Sequence, residues 1–237
     1  MKDYCIKEGY SINEFNLTND NLNKTKYWNK KRILSSQVFQ FQVYKYLNGY
    51  IQKNKINRLI DIGCGIGSKL KYINKHNPSI EIIGIDQEDP IEYCKRTFDF
   101  GKWISDDFEN PRQLENIKSK LIVCCDVIEH MNDPDLLLAY IKMRLEKDGI
   151  VVISSPERDK LRGVTNNNPN NKFHIREWNS NEFRKYMISQ DFEIVDHFFQ
   201  LPLKLGINMF SLNFLFKRVF KLKPLKYNQI IVVKVKK

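Results

Sequence analysis

A turn with three glycines at alternate positions places the strongest constraint on this chain. It reads D-I-G-C-G-I-G over residues 61–67, between an apolar run that begins at Arg58 and a helical stretch. Such glycines let backbone N–H groups approach a ligand at the positively polarised N-terminus of a helix. A dinucleotide site calls for a third glycine at position 68, where this chain has Ser68. An adenosine cofactor without a pyrophosphate needs less room, so the turn also suits that class.

Strands and helices alternate five times from this turn onward. The predicted strands are 58–63, 80–86, 102–105, 121–126 and 149–154, followed by extended segments at 192–199 and 229–235. Helices are predicted from the turn to about residue 75, over 90–98 and 133–145, and over 180–190. Asp133 is the predicted N-cap of the third of these, with Pro134 at its first position. This alternation predicts an α/β fold with a doubly wound, mostly parallel sheet.

The N-terminal region differs from the alternating part. Residues 1–30 are polar, and 31–53 have a broad apolar stripe that predicts one helix. We therefore expect a helical extension at 1–56, acting as a lid or cap, and a main domain at 57–237. A length of 237 residues allows one domain of ordinary size with small additions.

The net charge of +11 is concentrated at one end of the chain. Residues 201–237 contain nine lysines and arginines and no acid, so the other 200 residues carry 30 minus 28, or +2. Because this charge does not surround the predicted site, nucleic acid is not an expected partner. A basic apolar segment at 201–226 fits a helix packed on the domain or across a homodimer, which we favour, or a helix on a membrane surface. Monomer and homodimer both stay open.

The cysteines and the N-terminal residues bear on the compartment. Five cysteines without a C-x-x-C pair predict free thiols in a reducing compartment, and no secretory leader or membrane span is evident. We therefore expect a cytoplasmic protein.

Acidic residues stand at the ends of three predicted strands. Asp86 ends the second strand, where a carboxylate can accept both hydroxyls of a ribose. Asp61 precedes the glycine turn and would lie near a cationic cofactor. The segment D-D-F at 106–108 follows the third strand and suits an adenine amino group and ring.

The sequence resembles the class I S-adenosylmethionine-dependent methyltransferases. The resemblance rests on L-I-D-I-G-C-G-I-G (59–67), I-I-G-I-D (82–86), D-D-F (106–108), C-D-V-I-E-H-M-N-D-P (125–134), L-E-K-D-G-I-V-V-I-S-S-P (145–156) and H-I-R-E-W (174–178). It is similar to the branch that contains ubiquinone-biosynthesis-type and sugar O-methyltransferases. The resemblance implies a seven-stranded sheet whose last strand is antiparallel, and S-adenosylmethionine as cofactor. A polar stretch at 157–172 is longer than in many members of the family.

The resemblance also implies roles for particular residues. The cofactor would be bound by Asp61, Gly63, Cys64, Gly65, Gly67, Asp86, Gln87, Asp106, Asp107, Phe108, Asp126, Val127 and Ile128. The candidates for the acceptor are Tyr27, Trp28, Arg32, Glu129, Arg158, Arg162 and Trp178. Arginines at the rim of the pocket could hold a phosphate or a carboxylate.

An alcohol acceptor must lose its proton, which calls for a general base within hydrogen-bond reach. His130 and His174 both follow strand ends and are the catalytic candidates, whereas His76 and His197 fit structural roles. For His174 a loop histidine bonded to Glu177 is an equally good interpretation. Asp126, Glu129 and His130 lie close in sequence, but no paired-histidine spacing supports a metal site, and none is expected.

These observations favour an S-adenosylmethionine-dependent O-methyltransferase acting on a small polar acceptor, such as a sugar or nucleotide sugar of glycan biosynthesis. One alternative is a lipid-like acceptor, a quinone precursor or a lipid-linked glycan, methylated at the membrane surface. Another is an adenosine- or nucleotide-binding protein without catalysis.

Overall fold

Seven strands pair into one sheet in the computed structural model, which describes residues 2–13, 30–112 and 117–236. In chain order they are β1 (Arg58–Ile62), β2 (Glu81–Asp86), β3 (Lys102–Ser105), β4 (Ser119–Cys125), β5 (Leu145–Pro156), β6 (Phe192–Gln200) and β7 (Asn228–Val235). Across the sheet their order is β3-β2-β1-β4-β5-β7-β6. The last strand, β7, runs antiparallel to both of its neighbours, and the pairs from β3 to β5 are parallel. The predicted fold class is confirmed.

Helices connect these strands. They are α1 (Lys30–Ser36), α2 (Phe41–Asn54), α3 (Leu70–His76), α4 (Glu88–Thr97), α5 (Pro134–Arg144), α6 (Arg158–Arg162), α7 (Ser180–Ser189) and α8 (Met209–Val219), with a 3-10 turn at Ile128–His130. The predicted cap of α5 is present, because the Asp133 carboxylate accepts from the Asp135 N–H at 3.0 Å and Pro134 is the first helical residue. A capping box formed by Asn179 and Glu182 begins α7.

The central strands bury both faces of the sheet. On β1, Ile60 and Ile62 belong to one hydrophobic core and Leu59 to the other, and on β4 Cys124 and Cys125 divide in the same way. Side chains that alternate with a period of two, with apolar residues on both faces, are typical of parallel strands covered on both sides. The ends of these strands, and not their faces, are therefore left for a ligand.

The N-terminal region packs on the sheet. Four residues of α2 (Val43, Tyr44, Leu47 and Ile51) are buried in the core that contains Leu59. The prediction of a single helix over 31–53 was wrong, because Gln40 adopts a left-handed conformation (φ 54°) between α1 and α2. There the Gln40 N–H donates to the Pro202 carbonyl at 2.8 Å, and Phe39 pairs with Leu203. The helical periodicity could not reveal a break that a distant segment stabilises.

The C-terminal segment has two different faces. Phe214 and Arg218 of α8 are buried, and the Arg218 guanidinium donates to the carbonyls of Lys160 and Pro224. The opposite face and the following turn expose large apolar side chains, namely Leu212, Phe216, Val219, Phe220 and Leu222. Within the described ranges, no helix has the length and apolar character needed to cross a membrane.

Candidate functional site

A cavity of about 1330 Å³ opens where the parallel strands β1 to β5 end. It is lined by the glycine turn, by the segments that follow β2, β3 and β4, and by side chains from α1 and the late loops. Ligands of open α/β sheets bind in the crevice outside the carboxyl ends of the strands. The position of the cavity agrees with that rule.

The three glycines of the turn serve two different needs. Gly63, Gly65 and Gly67 all have positive φ (78°, 55° and 66°). Gly63 and Gly65 line the cavity, and a Cβ on Gly63 would lie 2.2 Å from Val127. Gly67 does not line it: its missing side chain makes room for Trp103, which a Cβ would approach to 2.8 Å. The role predicted for Gly67 is therefore corrected from cofactor contact to packing behind the turn.

Asp86 is the best-positioned acid for a ribose. Its Oδ2 accepts from the Gly65 N–H at 2.7 Å and its Oδ1 from the Gln87 N–H at 2.7 Å. These two contacts fix the carboxylate at the cavity wall and leave each oxygen a further lone pair. Burial raises the pKa of Asp86 to about 6, against the lowering effect of the two backbone N–H groups.

Asp61 lies behind the glycine turn and does not line the cavity. Its Oδ2 accepts from the Tyr44 hydroxyl at 2.6 Å, and its Oδ1 has no hydrogen-bond partner among the described residues. Burial raises the pKa of Asp61 to about 7. Asp61 is therefore placed behind the cavity wall, and its influence on a cationic cofactor stays a prediction.

All three residues of the D-D-F segment line the cavity, and Asp106 also has a structural role. Asp106 accepts from the Tyr140 hydroxyl at 2.8 Å and from the N–H groups of Asp107 and Arg112 at 3.0 Å each. Its oxygens are therefore engaged in holding the loop after β3. Asp107 is exposed, and Asp107 and Phe108 border the cavity beside it.

Asp126 is held by contacts from two other parts of the chain. It has a positive φ (52°), its Oδ1 accepts from the Ser154 hydroxyl at 2.6 Å, and its Oδ2 accepts from the Gln40 amide. Asp126 and Val127 line the cavity. Ile128 is completely buried in the core instead, so its predicted cofactor role is corrected.

The two candidate catalytic histidines meet at the opposite side of the cavity. Their rings lie 4.8 Å apart between centroids and are perpendicular, and both residues line the cavity. The Nδ1 of His174 is 2.7 Å from Glu177 Oε1, and that of His130 is 2.6 Å from the Phe173 carbonyl. The predicted contact between His174 and Glu177 is thus present. Burial lowers the pKa of His130 to about 3.

Glu177 connects His174 to an arginine. Besides His174, its carboxylate accepts from Arg162 at 2.8 and 3.1 Å. Burial opposes ionisation, but the hydrogen bonds from His174 and Arg162 hold the pKa of Glu177 at about 2. Arg162 lines the cavity, as Arg32 does. An ionised carboxylate therefore orients both groups.

Three predicted acceptor residues do not reach the cavity. Arg158 is completely buried and makes a bidentate ion pair with Glu182, at 2.7 and 2.8 Å. Trp178 is completely buried in the core and donates to the Tyr4 carbonyl. Glu129 is completely buried as well. The structure removes Arg158 and Trp178 from the acceptor candidates, whereas Tyr27 and Trp28 lie outside the described residues.

Several groups at the site carry no local signal in the sequence. Gln40 and Tyr44, which hold Asp126 and Asp61, come from the loop before α2 and from α2 itself. Tyr227 precedes β7, yet it lines the cavity. Their roles depend on segments far apart in the chain, so only the tertiary structure reveals them.

The part of the cavity lined by the glycine turn and by the segments after β2 and β3 fits an adenosine cofactor. The Asp86 carboxylate is held at the cavity wall by two backbone N–H groups, and the exposed Asp107 and the ring of Phe108 border the same space. Glycine at 63 keeps the turn close to Val127 without a clash.

Comparison with known proteins supports this interpretation. The sequence model of a family described as "Methyltransferase domain" matches residues 30–197, well over half of the chain. The chain belongs to this family. The methyltransferase is similar to a tRNA U34 carboxymethyltransferase of Campylobacter lari, with 29% identity over 135 residues (53% of this chain and 44% of the relative). It is also similar to a ubiquinone biosynthesis O-methyltransferase of Actinobacillus pleuropneumoniae, with 25% identity over 109 residues (43% and 46%).

These alignments span less than half the length of either relative. Among solved structures, the methyltransferase is similar to the plantazolicin methyltransferase BpumL in complex with SAH, with a TM-score of 0.58, 16% identity and 83% coverage of each chain. A second is an S-adenosylmethionine-dependent methyltransferase from Clostridium acetobutylicum, with a TM-score of 0.58, 14% identity and coverage of 82% of this chain and 91% of that one. At such identities the likeness establishes the fold.

Proposed function

We propose that this methyltransferase uses S-adenosylmethionine to methylate an oxygen of a small polar acceptor, such as a sugar or nucleotide sugar of glycan biosynthesis. The observation that carries the proposal is a single cavity with two chemically different sides. The cofactor side presents Asp86 on the glycine turn, and the acceptor side presents His130, His174 and Arg162.

S-adenosylmethionine supplies a methyl group on a sulfonium for an in-line displacement, in which alignment is the main contribution of the enzyme. Asp86, Asp107 and Phe108 bind and orient the nucleoside. His174 is the base candidate, because Glu177 bonds its Nδ1 and leaves Nε2 for the acceptor proton. Arg162 and Arg32 give the acceptor side the positive charge that suits a phosphate or carboxylate.

A transfer assay with methyl-labelled S-adenosylmethionine tests the acceptor. The panel contains nucleotide sugars, lipid-linked sugars, a quinone precursor and bulk tRNA. We expect label in the nucleotide sugars. Label only in tRNA would contradict the proposal. Bulk tRNA is included because one similar protein is a tRNA U34 carboxymethyltransferase, so the expectation that nucleic acid is not a partner is not supported.

The role of His174 is tested by His174→Asn. Turnover should fall about 100-fold or more because the base is lost, while affinity for S-adenosylmethionine is unchanged. His76→Asn is the matched control, since His76 is exposed at the end of α3. Unchanged turnover in His174→Asn would remove this residue as the base.

A second candidate, methylation of a lipid-like acceptor at a membrane surface, is supported by α8. Phe216 and Lys217 on α8, and Phe220 and Lys221 directly after it, are all exposed, and such apolar and basic neighbours are found in helices that lie on anionic lipid. Tyr227, which lines the cavity, packs against Phe214 of α8. A membrane bound at α8 would therefore adjoin the acceptor side.

Flotation with anionic vesicles separates the two candidates. If the lipid candidate holds, the wild type floats and the double variant Phe216→Glu, Phe220→Glu does not, whereas Ile188→Glu floats because this exposed residue lies on α7. If no variant floats and sedimentation instead shows a dimer that the double variant abolishes, the face is a homodimer contact. A cytoplasmic location stays a prediction in either case.

A further inference from the structure

Three side chains that can ligate a metal come together beside the cavity, two of them lining it and the third buried behind its wall. Glu129, His130 and His174 each offer one ligand atom, and these atoms lie within 4.8 Å of one another. The two histidines line the cavity, and Glu129 is completely buried in the 3-10 turn that follows β4. The cluster is separate from the acids that face the nucleoside.

The Glu129 carboxylate is poorly satisfied. Neither of its oxygens has a hydrogen bond of ordinary geometry among the described residues, and both are inaccessible to solvent, although the Ser155 hydroxyl and the Glu129 N–H lie near enough to interact with it. A buried carboxylate is very costly unless it is paired, hydrogen-bonded or bound to a metal. A cation between Glu129 and the two histidines would satisfy this group.

The histidines are arranged as metal ligands usually are. Each uses Nδ1 for another contact, His130 to the Phe173 carbonyl and His174 to the Glu177 carboxylate, which leaves Nε2 available on both. Metal-bound histidines almost always donate their other N–H to a carbonyl or a carboxylate, which fixes the ring and its tautomer. Both kinds of partner are present here.

The donor set indicates the class of metal. Two imidazoles and one carboxylate suit divalent transition metals such as zinc or iron, whereas magnesium and calcium prefer oxygen ligands. Ligand atoms about 2.1 Å from a tetrahedral zinc lie about 3.4 Å apart. The three ligand atoms, which lie within 4.8 Å of one another, would draw closer on binding the ion.

We propose that Glu129, His130 and His174 bind one divalent transition-metal ion whose open position takes the hydroxyl of the acceptor. The statement that the metal takes the acceptor hydroxyl rests on the proposed function. A coordinated hydroxyl has a lowered pKa, so its proton passes to solvent and its oxygen takes the methyl group. Overall the acceptor O–H becomes O–CH₃, the sulfonium becomes a thioether, and one proton is released. His174 then acts by holding the metal, and the metal replaces the base.

Metal uptake is tested first, without cofactor or acceptor. The full chain is stripped with a chelator and titrated with zinc by calorimetry. We expect one ion per chain, an affinity about 100-fold weaker in Glu129→Gln and in His174→Gln, and no change in His76→Gln. Circular dichroism confirms that each variant is folded, and cobalt as a probe should give visible absorption bands in the wild type that Glu129→Gln lacks. Equal zinc uptake by the wild type and Glu129→Gln, or no uptake by the wild type, would overturn the site.

Methyl transfer is measured separately on the same preparations. Loss of transfer on stripping, with recovery on adding zinc, iron or manganese but not magnesium, supports the role in the reaction. Transfer that is unchanged in stripped protein overturns that role and leaves the proposed function intact. Uptake that depends on Glu129, without transfer to any acceptor, contradicts the proposed function and supports the site alone.

Discussion

The two sides of the cavity are held in different ways. On the cofactor side, backbone N–H groups of nearby turns fix the acids: Gly65 and Gln87 bind Asp86, and Asp107 and Arg112 bind Asp106. On the acceptor side, side chains hold one another, as in the group of His174, Glu177 and Arg162. The buried pair of Arg158 and Glu182, which does not reach the cavity, is held in the same way. The difference indicates that backbone groups position the acids on the cofactor side, whereas the side chains on the acceptor side depend on how the late loops pack.

The largest expected effect is at the buried ion pair of Arg158 and Glu182, and it tests whether Arg158 is structural or binds the acceptor. Arg158→Met should lower the free energy of unfolding by about 3–5 kcal/mol, because Glu182 is left as an uncompensated buried charge. The measurement is chemical denaturation. Arg184→Met, an exposed position on α7, should change it by less than about 0.5 kcal/mol. An Arg158→Met protein of normal stability with weakened acceptor binding would return Arg158 to the acceptor candidates.

The cofactor side is tested at Asp86. Asp86→Asn should raise the Kd for S-adenosylmethionine about 100-fold, or about 2.7 kcal/mol, because the amide cannot accept in the same way from the two backbone N–H groups and the ribose hydroxyls. Calorimetry measures this. Asp89→Asn, on the exposed side of α4, should bind as the wild type does. Equal affinities in the two variants would place the nucleoside elsewhere.

Two glycine substitutions distinguish a ligand contact from packing. Gly67→Ala should cost about 2 kcal/mol in unfolding free energy, because φ is positive and the new Cβ meets Trp103, yet leave cofactor affinity unchanged. Gly49→Ala, in the open interior of α2, should instead stabilise the protein by about 0.5–1 kcal/mol. Thermal denaturation and calorimetry together give both quantities. A cofactor affinity that falls at normal stability in Gly67→Ala would put Gly67 back in the cofactor site.

The pH dependence of cofactor binding is the smallest effect. The pKa of Asp86 is about 6, and the ionised form accepts the ribose hydroxyls, so affinity is highest above that pH and falls as protons bind below it. Between pH 7 and pH 5 the Kd should rise about 10-fold, or about 1.4 kcal/mol. Asp61, with a pKa of about 7, titrates in the same window. Calorimetry with Asp61→Asn tests the assignment, since a pH dependence that disappears in this variant belongs to Asp61.

The sequence predicted the strands, their parallel arrangement and the glycine turn because these depend on local pattern. Buried strands read as apolar runs, and their carboxyl ends necessarily share one edge of the sheet, which brings Asp86, Asp107 and Asp126 to a common cavity. The same reasoning could not tell that Gly67 and Ile128 face the core. A position within a motif fixes the backbone and does not fix what each side chain packs against.

What the sequence by itself determined, then, is the sheet and the cofactor edge. Only the tertiary structure decided the break at Gln40, the burial of Arg158, and the meeting of Glu129, His130 and His174. The physical reason is that strand and turn formation follow from neighbours in the chain, whereas those features require distant segments to occupy the same space. The residue types in the sequence do not specify which distant side chains will be in contact in the folded protein.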